Sequence, residues 1–354
     1  MQHVTVSDGR VQWVDVARGV GITLVVLGHV LRGLHDAGLI GDGPVFARVD
    51  AAIYLFHMPL FFALSGMFFE RGMLRRGIWK SIPPRIESLL YPILVWSYVL
   101  ALSKIVAGSA ASTPVGSWWD VLMYPFPPKD IFWFLWAMFA IQTIASFAVA
   151  LRPDRVGHGL LMAASCALCL IVPLETWPYL VGVVVEFLPY FALGLLLNFL
   201  GREPVNSTWL LAVSIGAFGL AEAALFVFPD VSGTVYLVLR MLATVGVLGA
   251  LSWIGSRQLS SNALGFVAYF GASSMAIYVM HTIVTSLVRT MLLRLGVDAL
   301  TVHIVVATAL GILIPCAALW IIDRLNVRRL VGLGRTPGTL TRTDAGVTAH
   351  HSRA

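Results

Sequence analysis

The sequence is poor in charged residues and in cysteine. Only 12% of its 354 residues are charged and 58% are hydrophobic, whereas a soluble domain carries about 25% charged residues. This composition excludes a soluble fold with a large core. The three cysteines are too few for a disulfide framework. Cys166 and Cys169 form a CxxC inside an apolar run, which favours inert packing over a redox or metal site, and we expect no metal ligands.

Three further features are missing. The first apolar run, Val11 to Leu34, is too long for a signal core and no small-residue cleavage site follows it, so no cleavable signal peptide is expected. The alternating pattern of a membrane β-barrel is absent. No internal repeat is found, which gives an inverted-repeat transporter no support. What remains is a series of nearly uncharged windows of the length that crosses a bilayer. The sequence predicts an all-α polytopic membrane protein.

Ten transmembrane helices are predicted, of which the fifth is the shortest. Ala263–Ala272 is expected to lie in the membrane interface or to extend the ninth helix. We expect one transmembrane domain over 1–334 and a disordered polar tail over 335–354. The predicted spans are 11–34, 51–69, 88–107, 131–150, 159–173, 179–200, 208–228, 234–254, 274–294 and 302–322.

The Lys and Arg residues at the ends of the spans, in the loops and in the tail are distributed unequally. Sixteen fall on the N-terminus, loops and tail of one side, and four on the other. Cytoplasmic loops collect basic residues, so we expect both termini in the cytoplasm and the chain in the inner (plasma) membrane. The same rule accounts for the net charge of +6 without nucleic acid as a partner. The four basic residues on the other side are Arg32, Arg48, Lys129 and Arg294.

The first span, VDVARGVGITLVVLGHV, carries Arg18 and His29. Eleven residues at 100° each make three turns plus about 20°, so both side chains share one helix face, about 16 Å apart along the axis. Asp15, three residues before Arg18, lies on nearly the same face and can hold its guanidinium. A cation there suits an anionic ligand such as a phosphate, and a histidine suits general base catalysis. A snorkelling arginine with a histidine bonded to a neighbouring helix fits the same residues.

The second span contains FHMPLFFALSGMFF, from Phe56 to Phe69. Pro59 within it frees a backbone carbonyl, and Ser65 with Gly66 permits close helix packing. His57 alone is typical of a satisfied buried residue. With His29 it suggests a polar pocket between the first two helices.

These stretches resemble the acyltransferase 3 family of integral membrane O-acyltransferases. The resemblance lies in DVARGVGITLVVLGHV, FHMPLFFALSGMFF, FWFLWAMF from Phe132 to Phe139, and SMAIYVMHTIV from Ser274 to Val284. It implies about ten core helices. It also implies transfer of an acyl group, normally acetyl, from cytoplasmic acyl-CoA to a hydroxyl of a sugar or cell-surface glycan at the outer side. Acyl-CoA would be a co-substrate, with no tightly bound cofactor.

The resemblance assigns roles to individual residues. His29 and Arg18 match the residues thought essential for transfer. The family's donor-binding pattern, two arginines three residues apart before a proline, is matched by Arg85, but Ser88 replaces the second arginine. The neighbouring basic residues Arg75, Arg76 and Lys80 are therefore included as donor-binding candidates. The candidates for the pocket are Asp15, His57, Ser65, Trp133 and His281.

Several alternatives stay open. A transporter or flippase of a glycan or acylated small molecule also fits ten spans with charge inside the membrane, and a non-catalytic scaffold is a third reading. Direct transfer with His29 as base is our first hypothesis, with an acyl-His29 intermediate as the second. Glu186 and Glu222 are predicted to pair with Arg240 or Arg289, in an order that the sequence does not give.

Overall fold

The structure is a computed structural model, and it describes residues 12–108, 114–171, 177–198, 207–256 and 262–334. Within these residues the chain is helical and without strands. The predicted tail over 335–354 and the basic residues Arg10, Arg202 and Arg257 lie outside the described part. The helices are α1 (Gln12–Asp36), α2 (Pro44–Arg76), α3 (Ile78–Arg85), α4 (Tyr91–Ala107), α5 (Trp118–Leu122), α6 (Trp133–Leu151), α7 (Arg155–Ile171), α8 (Tyr179–Leu196), α9 (Thr208–Val227), α10 (Gly233–Ser256), α11 (Asn262–Ala272), α12 (Ser274–Arg294) and α13 (Leu300–Arg324).

The prediction of an all-α polytopic membrane protein is confirmed. Among the described residues, nine helices are long and apolar enough to cross a membrane, and each corresponds to one of the ten predicted spans. The remaining predicted span, 159–173, corresponds to α7. This helix is apolar but has only 17 residues, about 25 Å at 1.5 Å per residue.

The direction of its neighbours shows that α7 returns across the bundle. Along α2, Phe62 packs on Phe134 of α6 and on Phe187 of α8, with ring centroids 5.1 and 4.9 Å apart. Further along, Phe69 packs on Phe191, so α8 runs parallel to α2. The amide of Gln142 likewise bonds Ser65, so α6 also runs parallel to α2. The chain therefore passes back through α7, and within the described residues the start of α1 and the end of α13 lie at the same face of the bundle.

We call the end of the bundle where α1 begins and α2 ends the basic face, and the opposite end the far face. The basic residues of the described loops lie as predicted: those after α2, between α6 and α7, and after α13 share the basic face. His158 at the start of α7 lies 3.3 Å from Glu70 near the end of α2, which fixes this arrangement. The assignment of the basic face to the cytoplasm stays a prediction.

The segment between the second and third spans is helical rather than a plain loop. Gly77 has a φ of 76° and ends α2, with its N–H bonded to the carbonyl of Met73 at 2.7 Å. From there α3 and a π-helical turn over Ile86–Leu90 lead directly into α4. The segment Ala263–Ala272 forms α11, which Ser273 separates from α12.

The first helix lies at the centre of the bundle. It contacts α2, α10, α11, α12 and α13, and its Ile22 and Val26 are buried in the same core as Phe62, Phe191 and Ile277. Glycine allows the closest approach: a Cβ on Gly271 of α11 would overlap the carbonyl of Asp15. Asp15 of α1 is therefore enclosed by protein rather than facing lipid.

Candidate active site

The face of α1 that carries Arg18 and His29 is apolar between them. Arg18, Ile22, Val25 and His29 recur at steps of four, three and four residues in one uninterrupted helix, so they form a single stripe. Ile22 and Val25 are 1% and 3% exposed. The Arg18 side chain is 41% exposed, and His29 is partly exposed. Both polar ends of the stripe are therefore accessible, at opposite halves of the membrane.

Asp15 and Arg18 form the ion pair that their spacing predicts. The Arg18 Nη1 lies 3.6 Å from the Asp15 Oδ1, and the Asp15 side chain is 11% exposed. The backbone of α11 passes directly over Asp15, because Gly271 carries no side chain. Arg18 is thus held near the basic face by a buried carboxylate, with much of its guanidinium accessible.

A cavity of about 660 Å³ opens beside His29, and we call it the far-face cavity. It lies between α1, α4 and α12, next to the segment that precedes α6. Its lining combines apolar residues with charged and hydroxyl groups, which suits a hydroxylated ligand. Among the lining residues are His29, Arg32, Asp36, Lys104, Thr282 and Arg289.

His281 lies against His29, with ring centroids 5.0 Å apart and planes tilted by 56°. His281 is fully buried, and its Nδ1 lies 2.7 Å from the carbonyl oxygen of Tyr278. A carbonyl only accepts, so this nitrogen carries the proton and Nε2 carries the lone pair. That Nε2 has no hydrogen-bond partner among the described residues, and His29 makes no hydrogen bond to any of them. The His29 ring lines the cavity, whereas the His281 ring is buried beside it.

His57 lies behind the cavity wall. It is 1% exposed, and its Nδ1 lies 2.6 Å from the carbonyl of Ile53 in its own helix. The rings of His57 and Tyr54 pack edge to face, with their centroids 4.6 Å apart. The Arg32 guanidinium carbon lies 3.4 Å from the centroid of the Tyr54 ring. His57 thus supports the arginine of the cavity through Tyr54.

A second, smaller space of about 90 Å³ lies along the same stripe. Ile22, Val25 and Tyr278 line this space. The Tyr278 hydroxyl donates to the carbonyl of Ile131. The Tyr278 ring lies 6.1 Å from that of His281. The stripe from Arg18 to His29 is therefore bordered by open space at two levels. The other lining residues are Met58, Phe61, Phe134, Ser274 and Met275.

The four donor-binding candidates separate into two groups. Arg75, Arg76 and Lys80 are exposed at the basic face. Arg85 is 8% exposed, and its Nη1 donates to the Ser146 hydroxyl at 2.6 Å and to the Gln142 carbonyl at 3.0 Å. The first three are available to a soluble donor, whereas Arg85 is fixed against α6.

Ser65 and Trp133 lie at helix interfaces. Ser65 accepts a hydrogen bond from the Gln142 amide at 3.1 Å, between α2 and α6. Trp133 packs on Phe187 of α8, with centroids 5.2 Å apart. The structure therefore brings together Arg18 with Asp15 and His29 with His281, and it places Ser65 and Trp133 in the packing around them.

The structure also pairs the intramembrane charges that the sequence left open. Glu186 binds Arg240 at 2.5 Å, and the Arg240 guanidinium lies over three aromatic rings at 4.9 to 5.3 Å. Arg289 donates instead to the carbonyl of Gly33 at 2.6 Å. Glu222 has a buried carboxylate oxygen without a partner among the described residues. The order of helices around the bundle decides these pairs, and sequence spacing does not encode it.

The cavity has further charged residues beyond those that the sequence motifs indicate. Lys104 binds Asp130 at 2.9 Å, and the Tyr124 hydroxyl donates to the same carboxylate. Burial, reinforced by the Asp130 carboxylate, raises the pKa of Tyr124. The phenol therefore stays protonated and keeps donating at neutral pH. A lysine three residues before the end of an apolar helix was the available signal for this network.

Comparison with known proteins agrees with this architecture. The model of the acyltransferase 3 family, described as "Acyltransferase domain", matches residues 11–320. Nodulation protein NolL of Mesorhizobium japonicum is 29% identical over 203 residues, which cover 54% of this chain and 48% of that protein. Nodulation protein NolL of Sinorhizobium fredii is 29% identical over 355 residues, which cover 91% and 92%. The chain thus spans about half the length of the first relative and nearly all of the second. No solved structure matches.

Proposed function

The chain belongs to the acyltransferase 3 family and is a membrane acyltransferase, and we propose that it takes an acyl group, normally acetyl, from acyl-CoA at the basic face. The acceptor is a hydroxyl of a sugar or cell-surface glycan at the far face. In this proposal the basic face is cytoplasmic and the membrane is the inner (plasma) membrane.

One observation carries this proposal: Arg18 and His29 lie on one stripe, and His29 lines a cavity on the far-face half of the bundle. A donor that reaches the stripe from the basic face and an acceptor that enters the far-face cavity would meet at the His29 imidazole. The distance of about 16 Å between the two residues requires an extended donor, and CoA carries its thioester on a long flexible arm.

The exposed cations at the basic face suit the donor. CoA carries several phosphates, which form charge-assisted hydrogen bonds with guanidinium and ammonium groups. Arg75, Arg76 and Lys80 are exposed at the end of the bundle where α1 begins. We propose that they attract the donor and that Arg18 holds its anionic part at the entrance of the stripe.

The chemistry follows from the unpaired imidazole. His29 accepts the proton of the acceptor hydroxyl, and the alcohol oxygen forms a bond to the thioester carbonyl carbon. The carbon–sulfur bond then breaks, and the imidazolium returns the proton to the leaving thiolate. His281 offers the lone pair of Nε2 beside His29, and we propose that it orients the His29 ring and supports its charged form.

Labelled acetyl-CoA tests the proposal in membranes that contain the protein and cell-envelope glycans. We expect acetyl transfer by the wild type and a loss of about 10²–10⁴-fold in His29→Ala, as for removal of a general base. His35→Ala is the matched control, because His35 lies in the same helix and pairs with Asp42. Full transfer by His29→Ala at equal protein level would refute the base assignment. Wild-type membranes that leave acetyl-CoA intact would favour a transporter or flippase.

A further inference from the structure

One side of α12 presents a regular series of polar residues to the far-face cavity. Thr282, Ser286, Thr290 and Arg294 follow one another at four-residue steps, and all four line the cavity. We call these four residues the α12 ladder. It extends about 18 Å along the helix axis at 1.5 Å per residue, from the level of His29 to the far face.

The inner end of the ladder has unpaired polar atoms. The Thr282 hydroxyl and the His281 Nε2 are both buried, and neither has a hydrogen-bond partner in the part of the chain that the structure describes. Buried polar atoms nearly always have a partner. Thr282 and His29 both line the cavity, so the Thr282 hydroxyl is placed to bind a ligand hydroxyl adjacent to the one at His29.

The outer end of the ladder is positively charged. Four cations line the cavity against two carboxylates, Asp36 and Asp130. Two of the cations are paired with a carboxylate. The Nε and Nη2 of Arg32 both donate to Asp50, and Lys104 binds Asp130. Arg294 is exposed at the end of α12 and forms no ion pair with a described residue. The mouth of the cavity is thus ready to bind an anion.

We propose that the α12 ladder is the acceptor-binding surface and that it selects a polyhydroxylated acceptor bearing a carboxylate or phosphate. The reacting hydroxyl lies between His29 and Thr282. The anionic group lies at Arg294, about 18 Å further toward the far face. This inference rests on the proposed function, because His29 defines where the reacting hydroxyl must be.

The arrangement gives each group a separate task. The inner hydroxyl and imidazole position the reacting alcohol, and their loss affects acceptors of any charge. The outer guanidinium forms a charge-assisted pair with the acceptor anion, and its loss affects only charged acceptors. Selection for an acidic acceptor therefore resides in a residue far from the reacting atoms.

The test uses purified protein in nanodiscs of uncharged lipid with labelled acetyl-CoA. Envelope glycans are separated by anion exchange into an acidic and a neutral pool of equal sugar content. We expect the acidic pool to be labelled with a KM at least about tenfold lower, the effect of one charge-assisted hydrogen bond. Reducing the carboxylates in one sample and removing phosphates in another identifies which anion is bound.

Two variants and one control complete the experiment. Arg294→Gln is expected to raise the KM for the acidic pool about tenfold with kcat unchanged, and to leave the neutral pool unaffected. Thr282→Val, of nearly equal size, lowers transfer to both pools. Arg48→Gln removes another cation at the far face, outside the cavity, and changes neither pool.

The outcomes separate this inference from the proposed function. If the wild type leaves acetyl-CoA intact with both pools, the proposed function fails. If acetyl-CoA is consumed but the neutral pool is labelled as well as the acidic one, or Arg294→Gln matches the wild type on the acidic pool, the α12 ladder does not select an anion. Acetyl-CoA consumption without label in either pool also overturns the ladder as a glycan-binding surface.

Discussion

The ring of His281 lies 5.0 Å from the ring of His29, and the carbonyl of Tyr278 holds its Nδ1 at 2.7 Å. One histidine is thus fully buried and fixed in one tautomer, while the other borders a cavity. This pairing joins α12 to the stripe on α1. It explains how a rigid element can position a reactive ring inside the membrane.

His281→Ala should lower kcat about 100-fold, the effect of a small misplacement of a catalytic group, while the KM for acyl-CoA stays unchanged. The physical reason is that His281 contacts the His29 ring and none of the donor-binding candidates at the basic face. Steady-state kinetics with varied acetyl-CoA measures both constants. His303→Ala is the control, because His303 is a buried histidine bonded to the carbonyl of Val297 in a distant loop. A rise in the donor KM without a fall in kcat would remove His281 from this role.

Arg18→Lys should raise the KM for acyl-CoA about tenfold, the effect of one charged hydrogen bond. Lysine keeps the charge but loses the planar fork that binds two oxygens. Asp15→Asn tests the same site from the other side, because it removes the charge that holds the guanidinium at 3.6 Å. If Arg18→Lys bound and used acyl-CoA like the wild type, Arg18 would have only a structural role.

The donor-binding candidates at the basic face should fall into two groups with different roles. Replacing Arg75, Arg76 and Lys80 together by glutamine should raise the KM for acyl-CoA, more strongly at low than at high salt, because exposed charges are screened. Arg85→Gln should instead lower the thermal stability, because Arg85 is bonded to Ser146 and Gln142 inside the bundle. Thermal unfolding in detergent and donor kinetics separate the two effects. An Arg85→Gln protein of normal stability with a raised donor KM would contradict this division.

Glu186→Ala should destabilise the bundle by about 3 kcal/mol, the low end for breaking a buried ion pair, because the Glu186 side chain is 34% exposed. The loss leaves Arg240 as an unbalanced charge among aromatic rings. The double variant with Leu at both positions should regain most of the stability, since a hydrophobic pair of similar volume replaces both charges. Thermal unfolding in detergent measures each form. Equal stability of wild type and Glu186→Ala would show that the pair contributes nothing.

The spans and the stripe on α1 could be predicted because both depend on spacing along one helix. Nearly uncharged windows mark the spans, and the angle between Arg18 and His29 follows from the helical repeat. The start of α2 at Pro44 was missed by seven residues, because Arg48 and Asp50 interrupt its apolar pattern. Asp50 is accommodated by binding Arg32 of α1, and Arg48 lies over the Phe226 ring. Hydropathy reveals neither contact.

Features that depend on how helices are arranged around the bundle could not be predicted. These features join segments far apart in the chain. They are the pairing of Arg240 with Glu186, the burial of Arg85 and the contact between His29 and His281. Each of these residues has a visible signal, a charge or a histidine in an apolar run. The signal marks the residue as constrained but does not identify its partner.

The most direct test of the central proposal is acetyl transfer across a sealed membrane. Vesicles of known orientation receive labelled acetyl-CoA only at the basic face, while the glycan acceptor is trapped at the far face. We predict labelled acceptor inside the vesicles for the wild type and none above background for His29→Ala at equal protein level. Label that appears only on acceptor added to the donor side, or equal labelling by His29→Ala, would contradict transfer through the stripe from Arg18 to His29.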